Sequence, residues 1–370
     1  DEQTAALLRE PMRAIVLLRR RNDSTLPEVI APGLHEVGVM LPYSPLHHLL
    51  LDGLDRPLVA TSANISGEPV LTDNAEVEAR LGRVTQYFLH HNRPIVRPAD
   101  DTVLRVIAGK PRLIRAGRGI APLELESPHA FKQPVLAVGG HTKNTIALGW
   151  GKRVVISPHI GDLDAVRSME IFEQVIADLQ RLYGVVPQAI VCDAHTGYAS
   201  SRWAARQGLP LLRVWHHHAH ASALAFEHDP AKTWLCFAWD GVGLGEDGSL
   251  WGGEALHGCI GAWQRLARLR PFRLPGGEKA GREPWRSAAA VCWEIGLDLS
   301  SPVRDMTLLK QAWACGLNAP QTTAAGRLFD AAAHLLGLLD QASYEGQGGM
   351  YLEQLASGDA EAIALPLHED

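Results

Sequence analysis

Val135-Leu-Ala-Val-Gly-Gly-His-Thr-Lys-Asn-Thr-Ile-Ala-Leu148, with Gly149-Trp-Gly-Lys152 and Arg153-Val-Val-Ile156 behind it, reads as strand, glycine-rich loop, strand, tight turn and strand. Gly139 and Gly140 let backbone approach a phosphate closely, and Lys143 and Asn144 stand where they would complete the cradle; a simple hairpin turn is the plainer alternative. Further along the chain the unit recurs. Trp234-Leu-Cys-Phe-Ala-Trp239 is a strand, Asp240-Gly-Val-Gly-Leu-Gly-Glu-Asp-Gly248 a glycine-rich loop, and Ser249-Leu-Trp-Gly-Gly-Glu254 the return.

Between the two hairpins, Ala189-Ile-Val-Cys-Asp193 and Leu211 to Val214 read as strands in a β-α-β-α run. Paired hairpins spaced in this way resemble the actin-like/sugar-kinase/Hsp70 ATPase fold. The resemblance implies two related halves that clamp phosphates between their loops, with Asp240, Gly241 and Gly243 in the second loop. Asp193 and His195 fall at the C-terminal end of a strand, where open α/β sheets bind ligands, and are expected behind such a site.

The next junction is Val214-Trp215-His216-His217-His218-Ala219-His220-Ala221, between an apolar strand over 209–214 and a small-residue helix over 219–227. His216 and His220 are four apart, so at a helix start they share one face. Two imidazoles so placed hold one metal ion and leave its other positions open. A polar helix start whose histidines meet solvent or backbone is the alternative. Farther on, Gly326-Arg-Leu-Phe-Asp-Ala-Ala-Ala-His-Leu-Leu-Gly337 reads as a helix. Asp330 lies one turn after Gly326, as a ribose-binding carboxylate would, or as an ordinary exposed or capping aspartate.

Toward the N-terminus, residues 14–18, 37–41 and 57–60 read as strands and Pro45 to Leu54 as a helix. The last strand runs into Thr61-Ser62-Ala63-Asn64-Ile65-Ser66-Gly67, which gathers hydroxyls, an amide and backbone N–H groups at one sheet end. That wording, with Ala31 to His47 and Leu113-Ile-Arg-Ala-Gly-Arg-Gly-Ile-Ala-Pro122, resembles the nucleotide-binding YrdC/Sua5 family. The resemblance implies that Ser62 and Asn64 face the triphosphate or its Mg2+. Arg115 and Arg118 would contact phosphate or serve a surface role equally well. The family's earlier Lys-Arg-rich half has no counterpart here. Ala121 to Pro134, with three prolines, is taken as an inter-domain linker.

Composition bounds the function class. A formal charge of −6 argues against a protein built to grip nucleic acid, which needs a concentrated basic face. Five cysteines without a Cys-x-x-Cys pair suit a reducing cytoplasm rather than a disulfide frame. No apolar run reaches the length of a membrane span and no signal peptide is evident.

Taken in order, the YrdC-like tail, Gly-Gly-x-x-Lys-Asn-Thr, Asp-Ala-His-x-x-Tyr, His-His-His-Ala-His, Asp-Gly-x-Gly-x-Gly, Leu-Pro-Gly-Gly-x-x-Ala, Pro-Trp-Arg, Gly-Arg-Leu-Phe-Asp and Ser343-Tyr-Glu-Gly-Gln347 resemble the HypF family of [NiFe]-hydrogenase maturation. The fold then expected is α/β: the C-terminal part of a YrdC-like α/β domain (1–121), a linker (122–134), and an incomplete Kae1-like domain (135–370). The resemblance implies an ATP-dependent carbamoyltransferase that forms carbamoyl-adenylate from carbamoyl phosphate and passes the carbamoyl group to the C-terminal cysteine of HypE. It makes His216 and His220 ligands to one divalent metal, Zn2+ or Fe2+. Lys143, Asn144, Asp240, Gly241 and Gly243 would belong to phosphate loops, and Gly326 and Asp330 to a nucleoside site. HypF's acylphosphatase domain, zinc fingers and third metal ligand are not found, so the chain is expected to be a central fragment. Threonylcarbamoyl transfer to tRNA, an antibiotic O-carbamoyltransferase and a catalytically silent ATP-binding module are the rival readings.

Overall fold

The computed structural model describes residues 2–299, 306–356, 358, 364 and 366–368. The chain forms two compact units, Asp1–Pro32 with Glu36–Pro230, and Gly33–His35 with Ala231–Asp370. The boundary expected at residues 122–134 therefore falls inside the first unit, and part of the C-terminal tail of the expected second domain lies outside the described residues.

In the first unit, α1 (Glu2–Arg9) precedes a four-stranded sheet of β1 (Ile15–Arg19), β2 (Glu36–Val39), β3 (Val103–Ile107) and β4 (Lys110–Arg115), in the order β2-β1-β3-β4. Only β1 and β3 run parallel. The sheet buries Val16 and Leu104, with Ala14, Leu71 and Leu81 also in the interior. Helix α2 (Pro45–Leu54) has the expected bounds because its ends are locally encoded: Ser44 accepts from the His47 N–H at 3.3 Å, and Pro45 occupies the first turn. Helix α3 (Asn74–Leu81) is capped by Asp73, which accepts from the Glu76 N–H at 2.9 Å. The strand expected at 57–60 does not form. Leu58 and Val59 are exposed and no strand among the described residues pairs with them, so β-propensity has no ladder to join.

The second sheet of this unit has the order β10-β9-β6-β7-β8-β5. Its strands are β5 (Leu123–Glu126), β6 (Val135–Ala137), β7 (Ala147–Trp150), β8 (Arg153–Ile156), β9 (Ala189–Asp193) and β10 (Leu211–Val214). Strand β5 lies within the expected linker. Its Leu-Glu-Leu-Glu alternation places half-buried leucines against β8, an antiparallel edge pairing. Strands β6, β9 and β10 are parallel, joined through α4 (Val166–Tyr183) and α5 (Ala199–Ala204). Helix α4 buries Phe172, Val175, Ile176 and Leu179, the i, i+3, i+4, i+7 stripe of a helix lying on a sheet. They meet Leu136, Val138, Ile146, Val155 and Ile190, and each such side chain contributes roughly 1.5–3 kcal/mol by leaving water. Helix α6 (His216–His228) follows β10 directly.

In the second unit, β11 (Trp234–Leu244) and β12 (Leu250–Cys259) form a long hairpin, irregular between Trp239 and Gly243. Strand β13 (Ala262–Arg268) pairs with β12, and β14 (Phe272–Arg273) and β15 (Gln321–Thr322) extend the sheet. Helix α7 (Pro284–Glu294) buries Ala288, Ala289 and Ala290 along with Trp285 and Trp293, and α9 (Ala325–Leu335) buries Ala331 and Ala333. Helices α8 (Thr307–Ala314) and α10 (Gln347–Leu355) complete the unit. Among the described residues no helix is long and apolar enough to cross a membrane.

Candidate functional site

The parallel register of β9 and β10 sets Asp193 opposite Val214, two residues before the first histidine of α6. All four histidines of the run lie in the helix, which starts three residues earlier than the sequence pattern suggested. Two faces result. His217, Ala221 and Ala225, four apart, point inward and are buried, while His216 and His220 share the neighbouring, more open face.

The Nε2 atoms of His216 and His220 are 3.2 Å apart. Two imidazole nitrogens about 2.0–2.1 Å from one ion at a tetrahedral angle stand roughly 3.3 Å apart, so the pair fits two ligands of a single cation. On its other side, His216 Nδ1 is 3.1 Å from Asp193 Oδ2. An ionised carboxylate only accepts, so in the neutral ring Nδ1 carries the hydrogen and the Nε2 lone pair turns toward His220. Two neutral imidazoles suit Zn2+ or Fe2+ without choosing between them.

His195 lies beside this pair without joining it. Its backbone N–H donates to Asp193 Oδ1 at 2.8 Å, and its ring stacks on Tyr198 at 4.2 Å. Tyr198 stacks in turn on His141 at 5.5 Å, whose Nε2 donates to Asp164 at 2.9 Å. This His-Tyr-His stack was missed at the sequence level. The signals were present, a histidine inside the glycine-rich loop and a Tyr three after His195, but nothing in their spacing announces that the two loops meet.

In the β6–β7 loop, Asn144 is 1% exposed and its amide donates to the Val138 carbonyl at 2.9 Å and the Gly140 carbonyl at 2.6 Å. It shapes the loop from within. Lys143 takes a left-handed conformation, φ 47°, and its N–H donates to Asp162 at 2.8 Å. Gly139 is also left-handed, and a Cβ there would run into the Thr145 carbonyl. Ser200 Oγ reaches the carbonyls of Gly139 and Gly140 at 3.2 and 3.1 Å.

In the second unit, Asp240 accepts from the Gly241 N–H at 2.6 Å where the hairpin breaks register, and Gly243 resumes the pairing opposite Trp251. The first turn of α9 touches this backbone: a Cβ on Gly326 would lie 2.8 Å from Gly241 Cα. Asp330, one turn on, is buried and pairs with Arg327 at 3.0 Å. Burial pushes its carboxyl above the usual range, against the pull of the guanidinium. A second carboxylate that sequence reasoning missed is Glu254, 1% exposed, which accepts from the Gly252 and Gly253 N–H groups at 2.7 Å each and from the Thr323 hydroxyl.

In the N-terminal segment, the Ser62 hydroxyl donates to Asn64, whose amide donates to the Ile65 and Glu68 carbonyls at 3.0 Å. Arg118 spends its guanidinium on Asp101, at 2.8 and 2.9 Å, and on the Met12 and Arg13 carbonyls at 3.2 Å, lying over the Tyr43 ring. Arg115 donates to the Asp101 carbonyl at 3.0 Å. Both arginines thus have close protein partners. Burial pushes the Cys192, Cys236 and Cys292 thiols up, which disfavours the nucleophilic thiolate at each.

Three family models match the chain. Residues 1–117 match the Sua5/YciO/YrdC model, described as "Telomere recombination". Residues 130–227 match "HypF Kae1-like domain", and residues 236–370 match "Carbamoyltransferase, Kae1-like Domain, second subdomain". Carbamoyltransferase HypF of Synechocystis is 42% identical, over 94% of this chain and 48% of its own length. That of Rhodobacter capsulatus is 41% identical, over 98% and 50%. The crystal structure of full-length HypF in the phosphate- and nucleotide-bound form aligns at a TM-score of 0.94 and 34% identity, covering 100% of this chain and 59% of that one. T. kodakarensis HypF aligns at 0.89 and 32% identity, covering 98% and 50%. The chain spans about half the length of the curated relatives it matches. The mixed α/β architecture is accordingly a YrdC-like part followed by a Kae1-like part.

Proposed function

The chain belongs to the HypF carbamoyltransferase family, and from that premise we propose that it carries nucleotide- and metal-handling parts of an ATP-dependent carbamoyltransferase of [NiFe]-hydrogenase maturation. In this reading residues 1–121 belong to a YrdC-like domain that makes carbamoyl-adenylate from carbamoyl phosphate and Mg2+-ATP, with Ser62 and Asn64 toward the triphosphate. Residues 135–370 belong to a Kae1-like domain that passes the carbamoyl group to the C-terminal cysteine of HypE in the cytoplasm.

The observation that carries the reading is the histidine pair, with two ring nitrogens 3.2 Å apart on one helix face. His216 and His220 would hold the divalent ion, which when bound supplies Lewis-acid stabilisation of charge on the adenylate's phosphate. The chain's own residues do the rest. Lys143, with Asn144 shaping its loop, and the Asp240–Gly243 turn serve phosphate; Gly326 admits close backbone approach and Asp330 serves the nucleoside. The acceptor thiol is the partner's, in keeping with the raised thiols of Cys192, Cys236 and Cys292.

The test is to incubate the full-length protein with ATP, 14C-carbamoyl phosphate and the HypE partner. Label on the partner's C-terminal cysteine, lost when that cysteine is replaced, is expected. Label on tRNA instead would favour threonylcarbamoyl-type transfer, and nucleotide binding without any transfer would favour a silent ATP-binding module.

A further inference from the structure

We propose that Asp193 is the positioning residue of the histidine pair, fixing which nitrogen of His216 faces a bound cation. The inference rests on the reading of His216 and His220 as a metal site. Asp193 is itself held on every side. Its side chain is 7% exposed, Oδ1 accepts from the His195 N–H at 2.8 Å, and its carbonyl accepts from the Ser201 hydroxyl at 3.0 Å. Strand pairing with Val214 sets its height along the sheet. Oδ2 is then left 3.1 Å from His216 Nδ1, where an acceptor-only group admits one neutral ring state, with hydrogen on Nδ1 and the lone pair on Nε2, the atom that faces His220. A ligating histidine owes its ring orientation and basicity to such a partner on its far nitrogen, and losing that partner typically costs 10–100-fold in metal affinity.

The chemistry of the replacement separates this role from plain structural support. Asparagine has the shape of aspartate and keeps an oxygen for the His195 N–H, so it preserves the loop. Its NH2 then faces His216 Nδ1 and donates to it. The ring hydrogen moves to Nε2, and the nitrogen that should bind metal becomes a donor. Alanine only releases the ring. A positioning role therefore makes Asp193→Asn at least as damaging to metal binding as Asp193→Ala, whereas a structural role makes asparagine the milder change.

The experiment measures Zn2+ affinity of the full-length protein by competition with a chromophoric chelator, and the visible spectrum of the Co2+ form. It compares wild type, H216A, D193A and D193N, with thermal melts alongside. Expected are loss of the site's Zn2+ in H216A and a 10–100-fold weaker Zn2+ affinity in D193N, equal to or worse than D193A. Unchanged affinity in D193N, or a D193A defect clearly larger than that of D193N, would overturn the inference while leaving the metal site standing. If D193N fails to fold, D193A decides alone, and a loss under threefold counts against the inference. Retention of the site's Zn2+ by H216A would remove the metal reading and this inference with it.

Discussion

Gly326 sits in the first turn of α9 where intrinsic propensity would favour alanine by about 1 kcal/mol. The backbone of the neighbouring strand decides otherwise, since a Cβ would come within 2.8 Å of Gly241 Cα and 3.1 Å of the Asp240 carbonyl. Gly326→Ala is expected to lower the melting temperature and to weaken ATP binding measured by calorimetry, because the helix must back away from the Asp240 turn. Gly349, in α10, has open space around its Cβ position, so Gly349→Ala should be neutral or stabilising by up to about 1 kcal/mol. Equal effects of the two substitutions would mean that the contact at Gly241 has no energetic weight. The histidine pair was legible from sequence because i and i+4 meet on any helix. The bond from Asp193 to His216 was not, since it joins residues 23 apart through the register of two parallel strands. Only the position of Asp193 at a strand's C-terminal end pointed toward it. For Arg118 the motif left phosphate contact and a surface role equally open, and in the structure Asp101 and the Met12 and Arg13 carbonyls engage its guanidinium.

At the scale of elements, local signals held where the chain carries its own instructions. The Ser44 cap and Pro45 define α2, and the apolar stripe defines α4. They misled where pairing decides. Residues 57–60 have strand-like side chains but no strand partner among the described residues, whereas Leu123–Glu126, inside a proline-rich stretch, gains a partner in β8 and becomes a strand. The weight of α4 is testable. Phe172 is fully buried and meets Trp203 edge-on at 5.3 Å, so Phe172→Ala should destabilise the first unit by about 3–5 kcal/mol. Leu182→Ala on the exposed face of the same helix should stay within about 0.5 kcal/mol. Urea unfolding followed by tryptophan fluorescence reads both, and similar shifts would mean that α4 does not anchor the sheet.

At the scale of the molecule, the order of weak motifs carried the family, while the way the YrdC-like part joins the Kae1-like part inside the first unit was invisible in sequence. The join is polar. Asp100 takes His159 Nδ1 at 2.7 Å, Glu76 takes Arg167 at 2.6 Å, and the His159 N–H donates to the Ala116 carbonyl at 2.9 Å. Burial alone would raise the Asp100 carboxyl, but the His159 hydrogen bond and the charge of Arg115 outweigh it and hold the group below the usual carboxylate range. A folded-state value below the unfolded one, near 3.9, means that the unfolded chain binds the proton first as pH falls. The stabilisation from Asp100 is therefore fully present above the unfolded value and is lost as pH drops through the folded one. Asp100→Asn removes the charge at all pH values and should cost about 1 kcal/mol near pH 7, a modest figure because the pair is partly solvated. Urea midpoints measured from pH 7 to pH 3 should then converge, wild type falling toward the variant at the acid end. Curves that stay parallel down to pH 3 would show that Asp100 contributes no proton-linked stability to the join.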